Sequence, residues 1–443
     1  MYITRLSIRN IRSIRELDLQ LLDHECAGWH VILGANGAGK SSVIRSIALA
    51  LIGPVEAVAL RQNWDTWQRQ KASDGSIEIA IKPDSEDFPT NFPGKPEKAM
   101  PAGLQLKGGA SASANPSMGI ESYGASAAIV LEALPTTDPM MQSFVWKPQA
   151  SGGWFAASFG PFRRFSGGDR QFESLYRSNP RLASHLSAFG EDVALTEGLR
   201  WLQTLRVRSL EATAGAEPLL RRLIQFLNQS GLLPHGAMLS DVRSEFIVVK
   251  DAAGAEISIE QMSDGYRSIL SMIFEILRQM TTIYGHERVT KAIDPQAGKV
   301  DLPGVICIDE IDAHLHPSWQ RDIGPWFTRC FPKLQFFVTT HSPIICRNAT
   351  SVWRLPEPGS DEMPSRISGT ALQRLIYGSI LDAYGTGYFG EDVVISDESK
   401  EKQEELAKLN RKALRVRLSP EETEKLTKLR AMLPTVASET AAK

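Results

Sequence analysis

Apolar residues along this chain change period several times, and each change marks an element. Residues 6–13 (Leu-Ser-Ile-Arg-Asn-Ile-Arg-Ser) alternate apolar and polar, the pattern of a strand with one buried face. Residues 29–33 (Trp-His-Val-Ile-Leu) form an apolar run of the kind that is buried on both faces, and 43–48 (Val-Ile-Arg-Ser-Ile-Ala) switch to helical spacing. Short alternating runs at 77–81, 128–134 and 154–159 predict further strands. Between them, 88–124 is rich in Pro, Gly, Ser and Ala with few large apolars, which predicts a surface insertion. From 179 to 231 helical spacing takes over, with Leu199, Leu202, Leu205, Leu219, Leu220, Leu223 and Phe226 at core-like positions.

Residues 246–259 read as a hairpin around an Asp-Ala-Ala-Gly turn. Two further buried runs follow at 305–308 (Val-Ile-Cys-Ile) and 335–340 (Gln-Phe-Phe-Val-Thr-Thr), then a last strand at 352–355 and a turn-rich linker at 356–364. Helical patterns occupy 399–415 and 420–432, the second opened by Ser419, Pro420, Glu421 and Glu422. Sustained heptads are missing between the first helix and Ser263, so no long coiled-coil arms are expected.

Composition adds limits. At 443 residues, 42% hydrophobic and 23% charged, the chain is ordinary globular material. A formal net charge of -2 gives no overall field for a polyanion, so nucleic-acid contact would need a local basic patch. Cys26, Cys307, Cys330 and Cys346 show no Cys-x-x-Cys pairing, which fits a reducing cytoplasm better than a zinc site. The opening residues alternate rather than form an apolar core, unlike a signal peptide, and the apolar region 44–60 is broken by Arg45, Pro54 and Glu56. A cytoplasmic protein without membrane spans is expected.

The chemistry lies in four short segments. Between Gly34 and Ser42 the chain reads Gly-Ala-Asn-Gly-Ala-Gly-Lys-Ser-Ser, between a buried strand and a helix. In such a loop the glycines Gly34, Gly37 and Gly39, with Asn36 and Ala38, let backbone amides face phosphate oxygens. Lys40 reaches the β and γ phosphates, the Ser41 hydroxyl ligates Mg2+, and Ser42 continues the helix start whose dipole favours the same anion. The run 305–308 ends in Asp309 and Glu310, a carboxylate placed for metal and a second one placed to polarise water. The strand 335–340 delivers His341 and Ser342. Ser263, Asp264 and Gly265 stand just ahead of an apolar helix, a second anion-binding helix start.

In their chain order, phosphate loop, Ser-Asp-Gly helix start, Asp-Glu strand and His-Ser loop, the four segments resemble the ATPase heads of the ABC superfamily, and most closely the SMC, RecF and OLD-like branch. The resemblance implies an α/β fold: a P-loop NTPase head of ABC type with a flanking antiparallel β subdomain and a helical signature lobe. It places the head at 1–355, with the antiparallel subdomain at 76–159 carrying the insertion 88–124, the helical and signature lobe at 179–284, and a helical tail at 365–443. Ser263, Asp264 and Gly265 then belong to the signature motif that meets the γ phosphate held by the opposite subunit. His341 becomes the switch histidine, Glu310 the catalytic carboxylate, and Arg12 approaches the nucleotide. ATP and Mg2+ are the implied cofactors, and a homodimer closed through an ATP sandwich, or a higher oligomer, is the implied assembly. The signature reads Met-Ser-Asp-Gly-Tyr-Arg where transporters carry Leu-Ser-Gly-Gly-Gln. No glutamine-loop residue is assignable; Gln62, Gln142 and Gln149 qualify only by rough location.

The segment Asp309 to Pro317 resembles the extended motif of bacterial stand-alone ATPases of this branch, so the implied role is hydrolysis of ATP to ADP and phosphate in a regulatory switch. Such a switch works with a separately encoded effector, a nuclease or other protein, in anti-phage defence. The alternative is a RecF-like repair clamp that binds duplex DNA. About 90 residues follow the last head strand, short for an added nuclease domain. Arg163 and Arg164 could touch nucleotide, nucleic acid or a partner, but read first as solvated arginines at a strand end; the charge run 397–405 reads as a solvated helix face, and the resemblance makes His314 and His316 shapers of a dimer interface rather than metal ligands.

Overall fold

A computed structural model of the chain describes residues 1–87, 98–108, 129–137, 139, 145–146, 154–163, 178–190, 197–233, 236–244, 246–313, 315–378, 397–414, 416 and 418–433. Its central sheet has six strands in the order β16 (Ser365–Ile367), β15 (Ser351–Arg354), β3 (Gly28–Leu33), β14 (Leu334–Thr340), β13 (Gly304–Ile308) and β7 (Ala156–Phe159). All neighbours run parallel except β15 and β16. The inner strands are buried on both faces, as their continuous apolar runs require. Helix α1 (Lys40–Ile52) follows β3 and packs between this sheet and a second one.

The second sheet is antiparallel, ordered β2 (Ile14–Gln20), β1 (Tyr2–Ile11), β4 (Gly75–Lys82), β5 (Met100–Gly108) and β6 (Ile129–Ala133). Along β4 buried and half-buried positions alternate strictly, so Ile77, Ile79 and Ile81 join the core around α1. Gln335 joins the two sheets, since its amide donates to the Ile3 carbonyl at 2.8 Å and accepts the Ile3 N–H at 2.7 Å. That pairing falls where β1 slips register between Ile3 and Arg5, so a side chain satisfies backbone groups that the ladder leaves over.

Three expected boundaries move. Residues 100–108 lie within the expected insertion yet form β5, paired to both β4 and β6, because Met100, Ala102, Leu104 and Leu106 turn inward while Pro101 and Gly103 suggested a loop. Most of the remaining 88–124 lies outside the described residues. Strand β7 was expected in the antiparallel subdomain; it pairs parallel to β13 instead, and all four of its residues are buried. The head extends past 355, since β16 pairs with β15 and Arg366 binds Glu25 at 2.6 Å, and the first compact unit runs to Gly378.

The helical lobe contains α2 (Glu197–Leu210), α3 (Ala216–Gln229) and α4 (Asp264–Tyr284). Gly198 lets α2 approach α4 closely, because a Cβ there would stand 2.8 Å from the Glu275 nitrogen. Inside α4, buried Glu275 accepts from Arg278 at 2.7 and 2.8 Å and from Gln279 at 2.8 Å. A three-stranded sheet of β8 (Met238–Val242), β9 (Ile247–Lys250) and β10 (Glu256–Ser258) leads into α4, and a short pair, β11 (Ile293–Asp294) and β12 (Lys299–Val300), follows it. Helix α5 (Pro317–Cys330) precedes β14, and α6 (Gly369–Tyr377) closes the unit.

The second unit, 379–443, contains α7 (Asp397–Ala413) and α8 (Pro420–Met432), joined by Leu406, Leu426 and Leu429. Ser419 and Glu422 form a reciprocal cap at the start of α8. Along α7, Lys402 pairs with Glu398 at 2.6 Å, as expected of a solvated charged face. Among the described residues no single helix is long and apolar enough to cross a membrane.

Among the described residues, the imidazoles of His30 and His185 are fully buried. His30 Nε2 donates to the Cys26 carbonyl at 3.0 Å, so Nδ1 carries no proton and accepts from the Ser351 hydroxyl at 2.9 Å. Burial pushes His30 down to about 4 and His185 down to about 3. Both rings bind a proton near pH 6.5 once unfolded, so their contribution to stability is complete above pH 6.5 and is lost as the pH falls toward 4. Thermal unfolding is expected to shift downward between pH 7.5 and 5, by about 2 kcal/mol for each ring. A melting temperature flat across that range would show that neither ring is held neutral.

Candidate functional site

The carboxyl ends of β3, β14, β13 and β7 open on one edge of the central sheet, where parallel α/β sheets bind ligands. From β3 the chain turns through Gly37 and Gly39, whose φ angles are +79° and +102°, into α1. A Cβ on Gly39 would stand 2.6 Å from Ser13 Oγ and 2.9 Å from Ile14 Cγ1, so only glycine fits between the loop and the β1–β2 turn. No side chain caps the start of α1. Lys40 is 5% exposed and turns its ammonium back onto the loop, donating to Gly34 O at 2.8 Å and Ala35 O at 3.0 Å. This backbone cradle, open helix start and inward cation fit a polyphosphate. Ser42 is buried, Ser41 half-buried, and Asn36 exposed at the tip beside buried Ala38.

Asp309, 2% exposed, follows directly on β13, and its Oδ1 accepts from Thr339 Oγ1 at 2.5 Å. The same hydroxyl accepts the Glu310 N–H at 2.8 Å. One threonine on β14 thus orients both acidic positions. Glu310 has φ +46°, a left-handed conformation for a residue with a Cβ, which costs about 1–2 kcal/mol and persists only where neighbours enforce it.

His341 follows β14, with Nδ1 3.5 Å from Lys40 Nζ. An ammonium has no acceptor, so this approach leaves Nδ1 as the acceptor and places the ring proton on Nε2. Burial, then Lys40, lowers the His341 pKa, so the ring is neutral at physiological pH. Burial likewise lowers the Lys40 pKa, opposed by Glu310, Asp309 and Asp312. Hard oxygen donors at Ser41 and Asp309 fit Mg2+ rather than a softer metal. Among the described residues no group of three His, Cys, Asp or Glu side chains forms a separate metal cage. His316 caps α5 through Ser318, and His314 lies outside the described residues.

Other predicted positions sit apart. Ser263 stands at the cap of α4 without a side-chain cap bond, and exposed Asp264 pairs with Arg267. Gly265 is half-buried, and none of the described hydrogen bonds joins these three residues to the phosphate loop. Beside them, Tyr266 accepts from Trp319 Nε1 at 2.7 Å, tying α4 to α5. Arg12, expected near nucleotide, lies with its guanidinium 4.2 Å over the Trp67 ring, and burial pushes it down to about 10. Its neighbour Ser13 lies against the phosphate loop at Gly39. Gln62 bonds its own turn at Leu60, while Gln142 and Gln149 lie outside the described residues.

The sequence reading missed Arg163, which is 6% exposed and not solvated. Its Nη1 donates to Asp309 O at 2.8 Å and Gly160 O at 3.1 Å, Nη2 to Glu310 O at 3.0 Å, and Nε to Ser268 Oγ at 3.2 Å. Burial pushes its pKa down to about 10, which leaves it charged at neutral pH. A signal existed: Arg163 follows Gly160 and Pro161 directly after a run that is buried throughout. Arg164 lies outside the described residues.

Two family models match the chain, "AAA domain" over residues 5–91 and "AAA domain, putative AbiEii toxin, Type IV TA system" over residues 170–347. The chain is 34% identical over 139 residues to the Retron Ec83 probable ATPase of Escherichia coli, covering 31% of this chain and 24% of that protein. It is 24% identical over 349 residues to the Septu protein PtuA of Bacillus mycoides, covering 78% of this chain and 39% of that protein. The matched regions thus span less than half the length of these curated relatives. Among solved structures, an Smc head bound to the C-terminal winged-helix domain of ScpA aligns with 15% identity and a TM-score of 0.47, covering 84% of this chain and all of that one.

Proposed function

We infer that this chain, an ABC-type ATPase head of the SMC and RecF-like branch, is a nucleotide-driven switch whose hydrolytic site closes only when two copies meet. One observation carries the reading. Lys40, His341, Asp309 and Glu310 converge on one sheet edge, whereas the signature residues Ser263, Asp264 and Gly265 lie at a separate, uncapped helix start. Within one copy, Lys40 and the first amides of α1 hold the β and γ phosphates of ATP. Ser41 and Asp309 would hold Mg2+, which would supply charge neutralisation to the phosphates. Glu310 takes a proton from water, and the His341 Nε2–H donates to the γ phosphate. Ser263 and Gly265 of a second copy complete the site from the opposite face.

The relatives named as retron ATPases and Septu PtuA support a place in bacterial anti-phage defence, with this head regulating a separately encoded effector in the cytoplasm. If two copies share each site, ATP turnover per head rises with protein concentration in the dilute range. Phosphate release measured over a hundredfold concentration range tests this, and a constant rate per head would sink the two-copy reading.

A further inference from the structure

Among the described residues, the four bonds of Arg163 all fall on elements that the proposed switch must coordinate. Its guanidinium fork reads the two consecutive carbonyls of Asp309 and Glu310, which brackets the left-handed Glu310 residue from the carbonyl side while Thr339 holds it from the amide side. A third bond returns to Gly160, fixing the loop after β7. The fourth crosses to Ser268 on α4, one turn beyond the signature residues Ser263–Gly265. A buried guanidinium held by four bonds in this way has one favoured geometry and transmits displacement, because a slip leaves a charged donor unsatisfied.

We propose that Arg163 is a positioning residue that couples the signature end of α4 to the catalytic carboxylate, holding the Glu310 peptide in its strained conformation as long as α4 stays in place. This rests on Glu310 acting as the proposed base. Engagement of the α4 start by a second copy is then felt at Glu310 through one side chain, with no contact between Arg163 and nucleotide. Lysine keeps the charge but not the planar fork, so it cannot hold two successive carbonyls and Ser268 together.

The experiment measures steady-state hydrolysis, the KM for ATP, melting temperature and ATP-driven dimerisation for Arg163→Lys, Ser268→Ala and the double variant. Arg163→Lys is expected to lower kcat about tenfold with KM within about twofold of the parent, and Ser268→Ala to lower kcat about threefold. The double variant should be no slower than Arg163→Lys, because both remove one pathway. With Glu310→Gln added, the Arg163→Lys chain should still dimerise on MgATP. Parental kcat in both single variants would overturn the proposal. So would a Ser268→Ala chain in which kcat, ATP affinity and melting temperature fall together, since that pattern marks a purely structural bond. Should Arg163→Lys fail to fold, Ser268→Ala alone decides. Parental turnover in Glu310→Gln by itself would instead remove the premise about the base.

Discussion

Glu310→Gln is expected to slow ATP hydrolysis by about 10²- to 10⁴-fold while leaving ATP binding intact, so that an ATP-bound dimer accumulates. The substitution changes little else. The residue is held through its backbone, its N–H by Thr339 at 2.8 Å and its carbonyl by Arg163 at 3.0 Å, and glutamine keeps both bonds. Glutamine also matches glutamate in shape and in its tolerance of the half-buried site. What is lost is the basic oxygen proposed to receive the proton from water. Light scattering coupled to size exclusion, with and without MgATP, reads the dimer, and phosphate release reads the rate. A variant that turns over at the parental rate would show that Glu310 is not the base.

Lys40→Ala is expected to weaken ATP binding by about a hundredfold or more while leaving the fold as stable as the parent or slightly more so. The two halves of this result have one cause. Lys40 is a buried cation whose neighbours in the protein are the loop carbonyls of Gly34 and Ala35 and the ring of His341. Burial disfavours its charge, as the lowered pKa records, and the carboxylates of Glu310, Asp309 and Asp312 compensate only in part. Removing the ammonium relieves that desolvation but deletes the proposed charge-assisted donor to phosphate, the stronger class of hydrogen bond. Calorimetric titration with MgATP and a melting curve on the same sample check both parts. A marked loss of stability together with retained ATP affinity would mean that Lys40 is a structural ion.

The site was legible wherever its residues are contiguous. Nine residues from Gly34 to Ser42 state their own geometry, because glycines at positive φ and a helix start are local requirements. Asp309 and Glu310 were equally visible, since an apolar run that stops at two carboxylates marks the end of a buried strand. Arg163 was not: the buried run just before it hints at burial, but its partners Ser268, Asp309 and Glu310 lie 105 to 147 residues away and no local pattern identifies them. The same limit explains β5, where alternation in 100–108 was outweighed by Pro101 and Gly103, and β7, whose direction is set by β13.

The sequence by itself determined the strand–loop–helix cradle, the order of the four motifs and the α/β class, all of which follow from period, glycine placement and short-range capping. Tertiary structure decided which strands are neighbours, that the first compact unit runs on to Gly378, and that an arginine read as solvated is buried under the acidic pair. The reason is physical. Local patterns report which face of an element avoids water, whereas the identity of the covering partner depends on hydrogen bonds and packing between segments that meet only after the chain has folded.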